Sequence, residues 1–230
     1  MNIVSGIEQG SQEWLALRLG RVTASNFGKV LSEGAGKTRR AYMLQLLAER
    51  LTGEPQDTYR NAAMDWGVET EPRARAVYEL LTGNDVEQVT LVERDANVAC
   101  SPDGLVPDSG LEIKCPTTVT HLDYFDRGEL PATYKPQVQG AMWVCETARW
   151  DFMSFDPRVP DACQSMIVTV ERDDVYIARL QDAVSRFVDE LLELESQMRG
   201  DSSLPGYDSL VSGIQPESET ALSPEKEQAG

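Results

Sequence analysis

Histidine is almost missing from this chain: His121 stands alone among 230 residues. A single imidazole excludes the zinc and nuclease centres that need several, and His121 reads as an ordinary helical residue. Cysteine is scarce too. Cys100, Cys115, Cys145 and Cys163 are widely spaced with no CxxC pair, which argues against a zinc site or a disulfide framework and for buried thiols. No apolar run reaches membrane-spanning length, and Met1 to Gly6 lack a basic region followed by an apolar stretch. A soluble, cytoplasmic protein with no membrane partner is expected. Basic residues are outnumbered 21 to 38, for a net charge of -17. So acidic a chain cannot coat DNA indiscriminately, because its surface repels phosphate and gives no counterion release. The run Gly34-Ala35-Gly36-Lys37-Thr38 invites a phosphate-loop reading, but Leu31 stands where the first glycine is required and no strand precedes it.

What basic charge there is gathers early. Residues 18 to 40 hold Arg18, Arg21, Lys29, Lys37, Arg39 and Arg40 against Glu33 alone, a net of +5 that leaves -22 for the rest. This stretch is the expected DNA-facing edge, although solvated helix charges would look the same. The length suits one domain, residues 1-200. After Gly200, serine, proline, glycine and acids dominate, and 201-230 reads as a disordered acidic tail.

Between these limits, helical and strand patterns alternate. Ser11 can cap a short helix to Arg18, and Thr23 or Ser25 another to Leu31. Thr38 can cap a helix ending at Thr52-Gly53, and Asn61 to Leu81 reads as two helical pieces, because Pro72 suits a helix start and biases Glu71 away from helical geometry. Val86 to Val92, Val98 to Cys100, Trp150 to Phe155 and Met166 to Val170 read as strands. Thr118 to Arg127 and Thr133 to Val144 read as helices, and Leu180, Val184, Phe187, Val188 and Leu191 mark an amphipathic helix after Asp173. The class is α/β, with a central mixed sheet flanked by helices.

The chemistry-bearing pattern lies in the middle. Asp103 closes the apolar stretch Val98-Ala99-Cys100, Asp108-Ser109-Gly110 reads as a turn, and Leu111-Glu112-Ile113-Lys114 alternates as a strand, so Glu112 and Lys114 share one face. Asp103 and Glu112 are the hard oxygen pair that magnesium or manganese takes alongside substrate phosphate. A lysine beside the metal can orient or deprotonate water if its pKa is depressed. The bare spacing also fits a surface hairpin with ordinary charges. Glu71 heads a helical stripe with Ala74, Tyr78 and Leu81. It is either a further acid at the metal or a carboxylate favouring the helix N-terminus.

Ordered blocks surround this pattern: Trp14 with Arg18-Leu19-Gly20 and Thr23-Ala24-Ser25; Trp66-Gly67 and Glu71; Ser101-Pro102-Asp103-Gly104; Leu111-Glu112-Ile113-Lys114-Cys115-Pro116; and Tyr134, Gln137-Val138-Gln139, Met142-Trp143. Asp156-Pro157-Arg158 and Glu171-Arg172-Asp173 complete them. From about Glu8 to Asp173 the chain resembles the PD-(D/E)xK nucleases, and within them the YqaJ viral recombinase family of phage lambda exonuclease.

The resemblance implies a restriction-endonuclease-like core and a metal-dependent 5′ to 3′ double-stranded DNA exonuclease. Such an enzyme releases 5′-mononucleotides and leaves 3′ overhangs for recombination by strand annealing. It implies metal held by Asp103, Glu112 and the Ile113 main-chain carbonyl, with Glu71 as a further ligand, directly or through water. Magnesium, with manganese as substitute, would act as two ions during catalysis, and Lys114 would orient water. Arg18, Ser25, Ser101 and Gln137 would form a pocket for the terminal 5′-phosphate, their donors suiting an anion. Ser25 also reads as a helix cap and Gln137 as a solvated helix residue. The expected partners are DNA ends, two further copies in a homotrimeric ring, and a single-strand annealing protein, in a bacterial cell hosting a phage or prophage. Two other readings stand beside this one: a RecB-like or Cas4-like nuclease of different polarity, which the ungrouped cysteines disfavour, and a catalytically silent DNA-end-binding or assembly subunit.

Overall fold

In chain order the elements are β1 (Asn2–Val4), α1 (Gln12–Arg18), β2 (Val22–Thr23), α2 (Phe27–Val30), α3 (Lys37–Thr52), α4 (Ala62–Thr82), β3 (Leu91–Glu93), β4 (Val98–Cys100), β5 (Gly104–Val106), β6 (Ser109–Lys114), α5 (Thr118–Arg127), α6 (Lys135–Cys145), β7 (Arg149–Phe155), β8 (Ser165–Glu171) and α7 (Asp174–Met198). This computed structural model describes residues 1–32, 37–56 and 62–200. The expected tail 201–230 and the glycines of the decoy loop, Gly34 and Gly36, lie outside the described residues. The chain divides into a compact unit, Met1–Glu195, and a second, Ser196–Gly230. Both sheets and the candidate site belong to the first unit.

The fold is mixed α/β, with two mixed four-stranded sheets in place of the single central sheet expected. One runs β1-β3-β4-β2, with a parallel β2–β4 pair; the other runs β5-β6-β7-β8, with a parallel β6–β7 pair between two antiparallel ones. Between β4 and β5 the chain leaves one sheet for the other through Ser101-Pro102-Asp103, so the candidate acid falls at the junction.

Each face of β6 has its own core. Leu111 and Ile113 pack with Ala74 and Tyr78 of α4 and with Met153 and Phe155. The larger core gathers Phe27, Tyr42, Leu46, Val138, Met142, Trp150, Phe152, Leu180, Val184 and Phe187. Helix α6 is buried at every position from Val138 to Cys145, which its nearly continuous apolar sequence allows. The α7 stripe is buried as its period requires, and α5 has the expected bounds, capped by Thr117 and ended by left-handed Gly128.

Three local expectations fail. Helix α4 runs unbroken through Pro72; Pro72 and Val68, whose carbonyl loses its donor, are both solvent-exposed, so water can satisfy that carbonyl. The end of the Glu71 stripe, Leu81, is 59% exposed. Val86 to Val92 is not one strand: Glu87 makes an isolated bridge to Leu105, and regular pairing starts only at Leu91.

Candidate active site

The β5–β6 hairpin builds the centre of the site. Val106 pairs with Ser109, leaving Pro107 and Asp108 as a two-residue turn. Asp108 takes φ 57°, a conformation aspartate tolerates. That register sets Gly104 opposite Leu111 and brings Asp103 to the open edge of β6, where the Ile113 N–H donates to Asp103 Oδ2 at 2.6 Å. In an extended strand a residue's N–H and C=O point to the same side, so the Ile113 carbonyl faces this edge as well.

Glu112 and Lys114 share a face and are bonded to each other, Lys114 Nζ donating to Glu112 Oε1. Gln137 Nε2 on α6 donates to the same oxygen at 2.6 Å. Beneath Lys114 lies the Tyr134 ring, 5.4 Å from Nζ to its centroid. From the other side α4 brings Glu71, whose Oε1 accepts from Arg75 Nη2 at 2.5 Å, and the Arg75 Nε donates to the Asp103 carbonyl at 3.3 Å.

Burial makes these acids hard to ionise together. It pushes Glu71 up to about 7, with the Asp103 charge adding and Arg75 and Lys114 opposing. Glu112, only 2% exposed, is likewise pushed up to about 7 by burial, against Lys114 and with help from Asp103 and Glu71. Asp103 is raised by burial, with Lys114 and the Ile113 N–H opposing. Burial alone would lower Lys114, but Glu112 and Asp103 more than reverse it, so its pKa is raised. A depressed lysine is therefore not what this structure holds; Lys114 is a charged donor.

The residues fit a hard cation. Asp103 Oδ1 and Glu112 Oε2 take no hydrogen bond from the described residues, although the other oxygen of each carboxylate does. Two raised, mutually repelling carboxylates with one free oxygen each, beside a carbonyl edge, match a magnesium-type donor set, which needs only one or two protein carboxylates. Among the described residues no three His, Cys, Asp or Glu side chains close into a cage by themselves.

A second cluster lies where α1, β2 and the β4–β5 junction meet. Arg18 Nη1 donates to Ser101 Oγ at 3.0 Å and Nη2 to Thr23 Oγ1 at 3.3 Å, while its guanidinium stacks 4.2 Å from the Trp14 ring. Trp14 Nε1 also donates to Ser101 Oγ, at 3.1 Å, and Thr23 Oγ1 contacts Ser25 Oγ at 3.3 Å and Asn26 Nδ2 at 3.0 Å. Burial lowers the Arg18 pKa, and among the described residues no carboxylate pairs with it. Arg21 and Arg39 of the same basic stretch are instead tied to Glu93 and Glu190. Partly stripped of water, the arginine bonds only to hydroxyls, and the nearby Glu49 charge acts on it through space without a direct ion pair.

Of the expected phosphate-binding residues, Arg18, Ser25 and Ser101 thus come together, and Gln137 does not join them: it is held by Glu112. Ser25 is exposed at the mouth of the cluster, in a 3-10 turn without a side-chain cap bond. Arg75, Thr23, Asn26 and the ring contact of Tyr134 carry no role in the sequence reading. Arg75 follows Glu71 by four residues on a helix, a spacing that signals pairing; Thr23 and Tyr134 stand in the ordered blocks, and Asn26 had no local signal. His121 is not an ordinary helical residue. It is fully buried, bonded to Ser154 Oγ at 2.8 Å and to the Cys163 carbonyl at 2.7 Å. The carbonyl can only accept, so Nε2 donates to it.

Residues 13–148 match the YqaJ-like viral recombinase domain. Among solved structures the chain is similar to the alkaline exonuclease LHK-Exo from Laribacter hongkongensis, with 39% identity and a TM-score of 0.78 over 84% of this chain and 98% of that one. The complex of LHK-Exo with dAMP gives a TM-score of 0.79 at the same identity and coverage. A phage-related exonuclease from Haemophilus somnus 129PT shares the fold, with 18% identity and a TM-score of 0.62 over 77% of this chain and 96% of that one. A comparison with curated protein sequences found no match. With more than half its length in the family's domain and two exonuclease structures at 39% identity, this chain belongs to the YqaJ-like viral recombinase family of nucleases.

Proposed function

We propose that the protein is a magnesium-dependent 5′ to 3′ exonuclease acting on double-stranded DNA ends, releasing 5′-mononucleotides and leaving 3′ overhangs. The carrying observation is the pairing of two clusters in one fold: carboxylates with free oxygens at Asp103 and Glu112, and a guanidinium at Arg18 with hydroxyl partners only. Asp103, Glu112 and the Ile113 carbonyl would hold the ion, with Glu71 adding a ligand after release from Arg75 or through water. A bound divalent ion supplies Lewis-acid polarisation of the scissile phosphate.

The chain's own groups do the rest. Lys114, charged and fixed by Glu112 and the Tyr134 ring, orients the attacking water and offsets charge developing on the phosphate. Gln137 holds Glu112 in place from α6. Arg18, with Ser101, Thr23 and Ser25, receives the terminal 5′-phosphate, and the structure of LHK-Exo with dAMP supports a mononucleotide as product. The proposal includes assembly as a homotrimeric ring, which would keep a chain of net charge -17 on DNA, and transfer of the 3′ strand to an annealing protein.

The test is digestion of a linear duplex carrying a 5′-phosphate or 5′-hydroxyl on one labelled strand, with magnesium or chelator. Magnesium-dependent loss from the phosphorylated 5′ end is expected. Loss from 3′ ends or internal sites would overturn the polarity. Lys114→Ala should abolish cleavage yet keep end binding, and unimpaired digestion by that variant would sink the mechanism.

A further inference from the structure

Arg18 does not reach its position by helix α1 alone. Only the turn Leu19-Gly20-Arg21 separates it from β2, which carries Thr23, so the shape of that turn sets the distance between two donors of the same cluster. The turn is gripped by consecutive residues of α3. The Gly20 N–H donates to Glu49 Oε2 at 2.9 Å, and the Gly20 carbonyl accepts from Arg50 Nε at 2.8 Å. Gly20 has φ +64°, and a Cβ there would lie 2.5 Å from Arg50 Cγ, so the backbone is pressed against the arginine stem.

The grip is itself anchored. Glu49 is 7% exposed, and its other oxygen accepts from Gln45 Nε2 at 3.1 Å. Arg50 extends past the turn to Asn97 Oδ1 at 2.7 Å and to Glu195 at 3.1 Å. Asn97 in turn accepts the Val22 N–H at 2.8 Å through its carbonyl, just where β2 begins. One helix thus holds both peptide groups of Gly20, in the turn between Arg18 and Thr23, and reaches the start of the strand that follows. A buried carboxylate with one oxygen given to a backbone N–H is a large commitment of polar groups to the shape of one turn.

We infer that Glu49 and Arg50 are positioning residues that set selectivity for phosphorylated 5′ ends, by holding the Gly20 turn so that Arg18 and Thr23 converge on one anion. The inference rests on reading the Arg18 cluster as the terminal phosphate pocket. Glu49 and Arg50 do not touch the substrate; they act through Arg18. Their loss therefore weakens recognition of the phosphate and spares the cleavage centre at Asp103, Glu112 and Lys114.

The experiment measures the rate of the first cleavage under single-turnover conditions, on duplexes with a 5′-phosphate or a 5′-hydroxyl, alongside a thermal melt. Reading only the first cleavage matters because every later end carries a newly made phosphate. For Glu49→Ala the rate on phosphorylated ends should fall about 10- to 100-fold while hydroxyl ends stay within about twofold, as expected for misplacement of one binding group by about an ångström. Glu49→Gln, which keeps an acceptor for the Gly20 N–H, should restore most of the preference. Arg50→Lys, which removes the Nε donor, serves as the second variant should Glu49→Ala fail to fold, and should also lose the preference.

Equal loss on both ends would mean a general structural role and overturn the inference, as would an unchanged preference in the Glu49 and Arg50 variants. Arg18→Ala separates the two layers: if it leaves the phosphate preference intact, the pocket reading itself fails. If it abolishes the preference and the α3 variants do not, only the positioning role fails.

Discussion

Replacing Glu112 by glutamine should stabilise the metal-free protein while abolishing cleavage. The Glu112 carboxyl is 2% exposed and is pushed from its ordinary value of 4.5 to about 7, chiefly by burial. A raised pKa means that the folded state binds the proton more tightly than the unfolded one, so stability falls as pH rises through the interval from 4.5 to about 7. Above that interval the ionised group costs about 3 kcal/mol, at about 1.4 kcal/mol per unit. Glutamine removes this cost, in which the attraction of Lys114 is already counted, and keeps an oxygen to accept from Lys114. The gain is about 3 kcal/mol, or about 6–12 °C in melting temperature for a domain of this size.

The assay is thermal unfolding in chelator, at about pH 9 and at about pH 5, then with excess magnesium. Wild type should gain stability from magnesium, by the mass-action effect of a ligand that binds only the folded state, and Glu112→Gln should gain far less. The stabilisation by glutamine should shrink at the lower pH, where Glu112 is protonated. If the variant melts below wild type in chelator at high pH, or responds to magnesium as wild type does, the account of Glu112 as an electrostatically strained cation ligand is wrong.

Two further predictions concern the scaffold. Asp156 is fully buried and binds Arg158 through both oxygens, at 2.7 Å and 2.9 Å, and Thr118 at 2.6 Å. Despite its burial, Arg158 and Thr118 hold its carboxyl down to about 2. Its contribution is therefore present above 3.8 and lost as pH falls toward 2; Asp156→Asn should cost about 2–4 kcal/mol at neutral pH and flatten the acid limb of an unfolding titration. Gly110→Ala would put a Cβ 2.3 Å from the Trp150 ring, which is fully buried and cannot retreat. A loss of about 1–3 kcal/mol or more in urea unfolding is expected, and a neutral result would mean that β6 and β7 are more loosely packed than described.

The sequence by itself determined what depends on near neighbours. The period of Leu111 to Lys114 put Glu112 and Lys114 on one face, the apolar stripe after Asp173 defined α7, and Thr118 to Arg127 already read as α5. The ordered blocks around Asp103 and Glu112 also carried the family, because a motif needs only residue types in order. Rules of local preference failed at Pro72, where the helix continues and solvent exposure leaves the freed Val68 carbonyl open to water. Tertiary structure alone decided who meets whom. Arg18 finds Ser101 across 83 positions, Gln137 meets Glu112 across 25, and Lys114 is charged because two acids surround it. Periodicity fixes the face a side chain occupies, whereas its partner and its charge depend on which other element the fold packs against that face and how much water the packing removes.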